Sequence, residues 1–90
     1  MNFEWDEKKA AFNLSNHGIS FEEAKTVFED PVYLDFFDPD HSHEEQRYII
    51  IGQSSKGRLI IVSYAEHDRM IRIISARKAT RRERLDYEER

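Results

Sequence analysis

Two arginines in the C-terminal third of the chain are the side chains best suited to chemistry on a phosphate. Arg72 interrupts an otherwise apolar run, and Arg77 follows five positions later. A guanidinium can bind two phosphate or carboxylate oxygens at once. Because a buried arginine needs a counter-charge, Arg72 is expected either to pair with a carboxylate at a sheet edge or to face an open groove. Spacing alone leaves both possibilities open.

Cationic charge is concentrated at the C-terminal end of the chain. From residue 69 onward there are eight Lys or Arg residues and four acidic ones, whereas the whole chain has a net charge of −4. The preceding part of the chain is therefore strongly acidic. Such asymmetry indicates a charged partner, and the basic end could meet either nucleic-acid phosphate or an acidic protein.

Proton transfer would fall to a histidine or a carboxylate near these arginines. His17 ends a predicted helix just before Gly18, and a helix C-terminus favours protonated imidazole. It could act as a general acid or contact phosphate, or simply cap the last carbonyls and pack on the sheet. A three-residue turn after Glu66 would place Tyr64 opposite Arg72 and Glu66 diagonal to it, but a two-residue turn is equally compatible with the sequence.

Two further groups of polar residues carry weaker signals. Lys8 and Lys9 lie in the first turn of a predicted helix, where cations oppose the helix dipole, so they either contact phosphate or pair with an acid one turn away. His41 and His43 lie among carboxylates in the acidic segment 38–45 and could bind a divalent metal. Their spacing matches no known metal motif, and a solvated loop without a metal site is the expected structure.

Composition limits the class of protein. Ninety residues without cysteine predict one domain over 1–90, with neither disulfides nor thiolate metal ligands. No apolar run approaches the roughly 20 residues that span a membrane, and the N-terminus lacks the apolar core of a signal peptide. We therefore expect a cytoplasmic protein without membrane contact.

Periodicity and capping residues predict an α+β domain in which the strands that follow one another pair antiparallel. The order β-α-α-β-β-β-β-α should give a curved, mainly antiparallel sheet with a hairpin of two N-terminal helices and a short C-terminal helix. The predicted elements are a strand at 3–5, helices over 7–17 and from Ser20 to a stop at Asp30-Pro31, strands at 32–37, 47–53, 58–66 and 70–77, and a helix over 81–90.

The hydrophobic periods of the strand at 70–77 and of the first helix predict which side chains share a face in each element. Strict alternation along 70–77 places Arg72 and Arg77 on opposite faces of the strand. In the first helix, Ala10, Leu14 and His17 share one side and predict the face that packs against the sheet.

Taken whole, the chain resembles the BrnT family of type II toxins. The fragments that carry the resemblance extend over nearly the entire sequence, and their order and spacing are together more specific than any one of them. They are Phe3-Glu4-Trp5-Asp6 with Lys8, Asn13-Leu14, His17-Gly18, Ser20 to Ala24, Val27-Phe28, Asp30-Pro31, Ile51-Gly52, Gly57-Arg58, Ile71 to Arg77 with Ala79, Arg82-Glu83-Arg84 and Tyr87-Glu88.

The resemblance implies a RelE-like fold and a toxin that cleaves RNA and thereby blocks translation. It implies a BrnA-like antitoxin with a ribbon-helix-helix DNA-binding end, so that operator DNA is contacted only through the antitoxin. The family's basic and histidine positions map onto His17, Arg58, Arg72 and Arg77, with Lys8 or Lys9 as further candidates.

The mechanism implied is cleavage without metal or cofactor, in which a 2′-hydroxyl attacks the neighbouring phosphate. Arg72 and Arg77, aided by Arg58, would stabilise the charge on the phosphate, and His17 or Glu66 would move protons. Further RNA contacts are expected from Lys8, Lys9, Tyr64 and Arg81. Arg72, Arg77 and His17 should then line one accessible hollow. The alternatives are a non-catalytic module that binds RNA or protein, or a degenerate toxin, on the same basic sheet face.

Overall fold

Within residues 1–89, the part of the chain described by this computed structural model, five strands form one sheet that carries helices on both faces. The predicted α+β class and the order of elements are confirmed. The strands are β1 (Asn2–Glu4), β2 (Leu34–Phe37), β3 (Arg47–Gln53), β4 (Leu59–His67) and β5 (Met70–Lys78), the helices are α1 (Glu7–His17), α2 (Phe21–Thr26) and α3 (Arg81–Glu89), and short 3-10 helices cover Val27–Glu29 and Pro39–His41.

The strands lie in the order β1-β5-β4-β3-β2. The three pairs made by β2 to β5 are antiparallel, as predicted. The short β1 adds to the sheet parallel to β5, with Phe3 opposite Ile71. A strand of three residues has too short a hydrophobic pattern to predict which strand it pairs with, so the sequence alone does not assign this pairing.

Capping side chains fix the helix ends. The carboxylate of Asp6 accepts the backbone N–H groups of Lys8 and Lys9 at 2.8 and 3.1 Å, and Gly18, with φ of 69°, ends α1. Ser20 caps α2 by accepting the backbone N–H of Glu23 at 3.0 Å. These caps place both ends of α1 and the start of α2 where the sequence predicted them, whereas α2 ends at Thr26 and a 3-10 helix continues to Glu29.

Each sheet face has its own apolar cluster. The inner face packs against α1 and α2, where Phe21, Ala24 and Val27 are almost fully buried. The outer face packs against α3 through Tyr87, which contacts Ile51, Leu59 and Ile61. Removal of these apolar side chains from water is the main way in which both clusters stabilise the fold.

Helix α1 meets the sheet through a polar residue, contrary to expectation. Leu14 is 51% exposed, whereas Asn13 is buried. The Asn13 amide donates to the carbonyl of Ala76 at 2.8 Å, and its oxygen accepts the Ala76 N–H at 2.9 Å. Of the predicted face, Ala10 packs against the inner cluster, whereas Leu14 and His17 are exposed, because these backbone hydrogen bonds, which apolar periodicity cannot reveal, orient the helix.

The hairpin between β4 and β5 turns in two residues. Asp68 and Arg69 have φ of 51° and 66°, as a type I′ hairpin turn requires. Arg72 therefore lies opposite Ala65, while Tyr64 lies opposite Ile73. The juxtaposition of Tyr64 and Arg72 that a three-residue turn would produce is not formed.

A β-bulge reverses the alternation within β5. Tyr64 pairs with Ile73 and Ser63 pairs with Ser75, so Ile74 is an extra residue on β5. After the bulge Ala76 points into the inner cluster and Arg77 points outward. The expectation that Arg72 and Arg77 occupy opposite faces was therefore wrong, since strict alternation does not allow for the bulge.

No helix within residues 1–89 is long and apolar enough to cross a membrane.

Candidate functional site

Two arginines lie on the outer face of the sheet, on the strands that flank β4. Arg47 on β3 and Arg72 on β5 are both opposite Ala65 of β4. The small side chain between them leaves room for both guanidinium groups. Arg47 Nε donates to Oε1 of Glu45 at 3.3 Å, and Arg72 Nη2 donates to the same oxygen. Two cations from different strands thus converge on one anionic atom.

A cavity of about 670 Å³ opens above this pair, and its lining joins the loop before β3 to the sheet. A second cavity of about 520 Å³ adjoins it at Arg72 and is lined by Glu66 and His67, among others. Glu66 lines this second cavity as Arg72 does, although Glu66 lies opposite Ile71 of the inner cluster and not on the face of Ala65. The first cavity is lined by His41, His43, Glu44, Glu45, Arg47 and Arg72.

The two arginines favour the ionised form of the Glu45 carboxylate. Partial burial opposes its charge, but the hydrogen bonds and positive charges of Arg72 and Arg47 outweigh burial and lower the pKa of Glu45. The side chains of Glu45, Arg47 and Arg72 are 33%, 33% and 40% exposed. Exposed pairs of this kind exchange readily with other ions.

Arg77 lies on the same outer face as Arg72. Four steps of the β4–β5 register separate the two residues, which at roughly 3.3 Å per step is about 13 Å along the strand. The Arg77 guanidinium makes two hydrogen bonds of 2.8 Å to the Glu83 carboxylate of α3. These hydrogen bonds and the adjacent positive charge lower the pKa of Glu83 to about 2. Arg77 thus anchors α3, and it lines none of the cavities described for Arg72.

The surface between Arg72 and Arg77 is a partly exposed row across the sheet. Phe36, on β2, is 49% exposed and Ser75, on β5, is exposed as well, whereas Ile49 packs against the outer cluster that contains Tyr87 of α3. The row is therefore accessible from the outer face next to the two arginines. In order across the sheet, its residues are Phe36, Ile49, Ser63 and Ser75.

Arg58 is engaged in a structural ion pair. Its Nε donates to Oε2 of the buried Glu23 at 2.9 Å, and its Nη2 also donates to the carbonyl of Gly18 at 3.2 Å. Ser54 completes the arrangement by donating to the Glu23 carboxylate at 2.6 Å. The hydrogen bonds from Arg58 lower the pKa of Glu23 against the effect of burial. Arg58 precedes β4 by one residue and lies roughly 20 Å from the level of Arg72.

His17 lies in a separate groove with the two lysines. This groove, of about 290 Å³, runs between α1 and β5 and contains Lys8, Lys9, Ser75 and the exposed His17. Histidine and lysines are thus brought together, but Arg72 and Arg77 do not line the groove. The single hollow expected for His17, Arg72 and Arg77 is not formed among the described residues.

Tyr64 is placed away from any site on the outer face. It is 5% exposed within the inner cluster. Its ring centroid lies 5.0 Å from that of Phe28 and 5.5 Å from that of Tyr48. Its hydroxyl donates to Asp35 at 3.3 Å, and burial together with the Asp35 charge raises the pKa of Tyr64. The predicted RNA contact of Tyr64 depended on the three-residue turn and loses its geometric basis here. Arg81 is exposed in the first turn of α3.

The loop before β3 has no recognisable metal site. His41 Nδ1 lies 2.8 Å from Oδ2 of Asp38, and no group of three or more His, Cys, Asp or Glu residues in 1–89 is arranged to hold a metal ion.

Sequence reasoning overlooked Arg47 and Glu45. Arg47 begins a β-branched strand, and it lies an even number of residues from Ile51, which faces α3. That spacing was available as a signal for an outward-facing arginine. The position of Glu45 depends on the path of an irregular loop, which no periodicity reveals.

Comparison with known proteins decides the family. Residues 5–83 match the family model described as the ribonuclease toxin BrnT of type II toxin–antitoxin systems. The chain belongs to the BrnT family. The BrnT toxin of Brucella abortus, known from a crystal structure, has the same fold with a TM-score of 0.65 and 23% sequence identity, over 90% of this chain and 99% of that one. No curated protein sequence matches significantly.

Membership of the BrnT family gives the arginine-lined face a chemical context. Ribonuclease toxins act on a polyanionic chain, whose phosphates call for guanidinium or ammonium partners. Among residues 1–89 of this BrnT-family chain, basic residues line cavities in two places: Arg47 with Arg72 on the sheet, and the lysines with His17 beside α1.

Proposed function

We propose that this chain is a metal-independent endoribonuclease that inhibits translation as the toxin of a type II system. The observation that carries the proposal is the pair Arg47 and Arg72, which converge on one anionic oxygen in an open cavity of a BrnT-family chain. Two guanidinium groups held in this way can bind a phosphodiester and the extra negative charge that develops when it is attacked.

The reaction requires a base for the 2′-hydroxyl and an acid for the leaving 5′-oxygen. The 2′-oxygen forms a bond to phosphorus, the bond to the 5′-oxygen breaks, and the product carries a 2′,3′-cyclic phosphate. Glu66 shares a cavity with Arg72, which favours it over His17 as a proton-transfer group at this phosphate. His17 with Lys8 and Lys9 would instead hold an adjacent part of the RNA, since Ser75 belongs both to their groove and to the exposed row of the sheet.

The decisive experiment is end mapping of a defined RNA incubated with the purified protein in EDTA. New 5′-hydroxyl ends together with cyclic or 3′-phosphate ends are expected. Loss of cleavage in EDTA would contradict metal independence, and an RNA left intact with or without divalent ions would contradict the proposed activity.

A second candidate function is binding without cleavage, by a non-catalytic module or a degenerate toxin. It is favoured by one observation: Arg58, Arg72 and Arg77 each pair with a carboxylate, which would leave them as structural residues. A gel shift of the RNA without new ends would support this alternative. Induction in cells that lack the antitoxin then separates a toxic protein from a harmless one.

We further propose that a BrnA-like antitoxin silences the chain by covering the outer face. An acidic antitoxin segment could replace Glu45 at the arginines, while exposed apolar side chains such as Phe36 and Leu85 would add buried area. Operator DNA would be contacted only by the ribbon-helix-helix end of such an antitoxin. The cytoplasm, where messenger RNA is translated, is the compartment that this function requires.

A further inference from the structure

We propose that Glu45 occupies the position of an RNA phosphate between Arg47 and Arg72, as a built-in counter-anion that the substrate must displace. This inference rests on the proposed function, which it deepens by adding Arg47 as a phosphate-binding residue and the loop before β3 as a cover. The juxtaposition that supports it is the convergence of two guanidinium groups, from strands that are not neighbours, on Oε1 of a single loop carboxylate.

The geometry is that of an anion site more than of a simple ion pair. The Glu83 carboxylate, which pairs with one arginine, meets Arg77 with both oxygens. At Glu45 the same oxygen is shared by Arg47 and Arg72, so each guanidinium keeps other N–H groups for further acceptors. A phosphodiester presents two charged oxygens and could give one to each arginine.

The loop is built so that its base is fixed and its tip can move. Ser42 Oγ donates to the carbonyl of Asp38 at 2.6 Å and accepts the backbone N–H of Arg47 at 2.9 Å, which ties the two ends of the loop together. From Ser42 to Gln46 the chain has no regular secondary structure, and Glu44 is exposed. The Glu45 side chain can therefore swing away from the arginines while the start of β3 stays in place.

Displacement is energetically accessible because every member of the cluster is partly exposed. The three side chains keep about a third or more of their surface in water, where ion pairs are weak and their partners exchange. An RNA phosphate brings the same charge together with neighbouring phosphates and bases, so it can replace the carboxylate. Free protein would then keep its arginines neutralised, and non-specific polyanions would bind less tightly.

The test is the affinity of a fluorescein-labelled 2′-O-methyl oligoribonucleotide, which lacks the attacking hydroxyl and cannot be cleaved by the proposed route. In anisotropy titrations at low salt, Glu45→Gln should tighten binding about fivefold, the order expected when an exposed ion-pair competitor is removed. Arg47→Ala should weaken binding about as much as Arg72→Ala. In the Arg47→Ala/Arg72→Ala background, Glu45→Gln should have no further effect.

Glu44→Gln is the matched control. It removes the same charge one residue away, and Glu44 forms no ion pair among residues 1–89. Equal tightening by Glu44→Gln and Glu45→Gln would show a mere change in net charge and would overturn the inference. So would a gain from Glu45→Gln that persists without both arginines. Because this probe is not cut, the outcome is independent of the cleavage assay, and either proposal can fail while the other stands.

Discussion

The arginines of this protein differ in how firmly a carboxylate partner holds them, and therefore in whether they are free to bind a substrate. Arg58 is held by a buried carboxylate and Arg77 by two hydrogen bonds to a helix, whereas Arg72 shares one exposed oxygen with a second arginine. Of these arginines, Arg72 and its neighbour Arg47 can give up their partner at little cost. Arginine type and spacing singled out Arg72 as the informative residue, but could not reveal which carboxylate each arginine would meet.

Arg72→Ala should lower the rate of RNA cleavage about 100-fold or more, since it removes a cation aimed at the developing charge. Arg72→Lys should restore only part of the rate, because an ammonium group cannot reproduce the guanidinium fork. The measurement is single-turnover cleavage of a defined RNA. Arg82→Ala, at an exposed position of α3, is the control and should cleave normally. Wild-type rates in Arg72→Ala would remove this residue from the site.

Glu66→Gln and His17→Gln compare the two candidates for proton transfer. Loss of a general acid or base costs typically 10²- to 10⁴-fold, and we expect that loss for Glu66→Gln, which shares a cavity with Arg72. His17→Gln should mainly weaken RNA binding. Single-turnover rates at saturating protein separate the two effects, and the opposite assignment would follow if His17→Gln alone abolished cleavage.

Arg58→Ala should act on stability and not on chemistry. It leaves the buried Glu23 without its main counter-charge, which should lower the free energy of unfolding. Urea denaturation measures the loss, and Glu23→Gln in the same chain should recover part of it. A normal unfolding midpoint combined with lost cleavage would instead return Arg58 to the catalytic group that the family resemblance implied.

At the scale of elements, local signals placed helices and strands well but not their mutual geometry. The caps Asp6 and Ser20 and the strand periods gave nearly correct boundaries, because capping and alternation act between near neighbours. The parallel partner of β1, the two-residue turn and the bulge at Ile74 depend on contacts distant in sequence. The bulge has the largest effect on the site, because it turns Arg77 toward the face that already holds Arg72.

Glu83→Gln should loosen α3 and alter the response to acid. The pKa of Glu83 is lowered from 4.5 to about 2 by Arg77, so its contribution to stability is fully present above pH 4.5 and disappears as the pH falls toward 2. At pH 7 the variant should lose about 1 kcal/mol, a value reduced for partial exposure. Between pH 4.5 and 2.5 it should lose less than the wild type.

Urea denaturation at several pH values measures both effects. Glu88→Gln, an exposed acid on the same helix, is the matched control and should leave the pH profile unchanged. A parallel loss of stability in wild type and Glu83→Gln between pH 4.5 and 2.5 would show that the Arg77–Glu83 pair contributes nothing to folding.

For the whole molecule, the division of charge was readable from sequence and bears on association. A net charge of −4 combined with a basic C-terminal end gives the chain a strongly asymmetric field. The arginines of the outer face lie in an otherwise acidic chain, so their attraction for anions is local and short in range. The sequence could state the asymmetry but not that two strands and a loop would focus it on one cavity.

Association with an acidic antitoxin should therefore depend on salt. We expect the association rate constant to fall at least about tenfold between low ionic strength and 1 M, where the Debye length is only about 3 Å. Stopped-flow measurements with the wild type and with Arg47→Ala/Arg72→Ala provide the comparison, and the double variant should show a smaller salt dependence. A rate indifferent to salt in the wild type would exclude electrostatic steering.

The hydrogen bonds between Asn13 and Ala76 have a consequence for solubility. Strand β1 pairs with β5 only as far as Arg72, and an unprotected strand margin beyond that point would invite a stray segment to add on and start a fibre. The amide of Asn13 imitates a neighbouring strand there by taking both the donor and the acceptor of Ala76. One side chain on the first helix thus occupies the backbone groups of Ala76 that an added strand would need along that border.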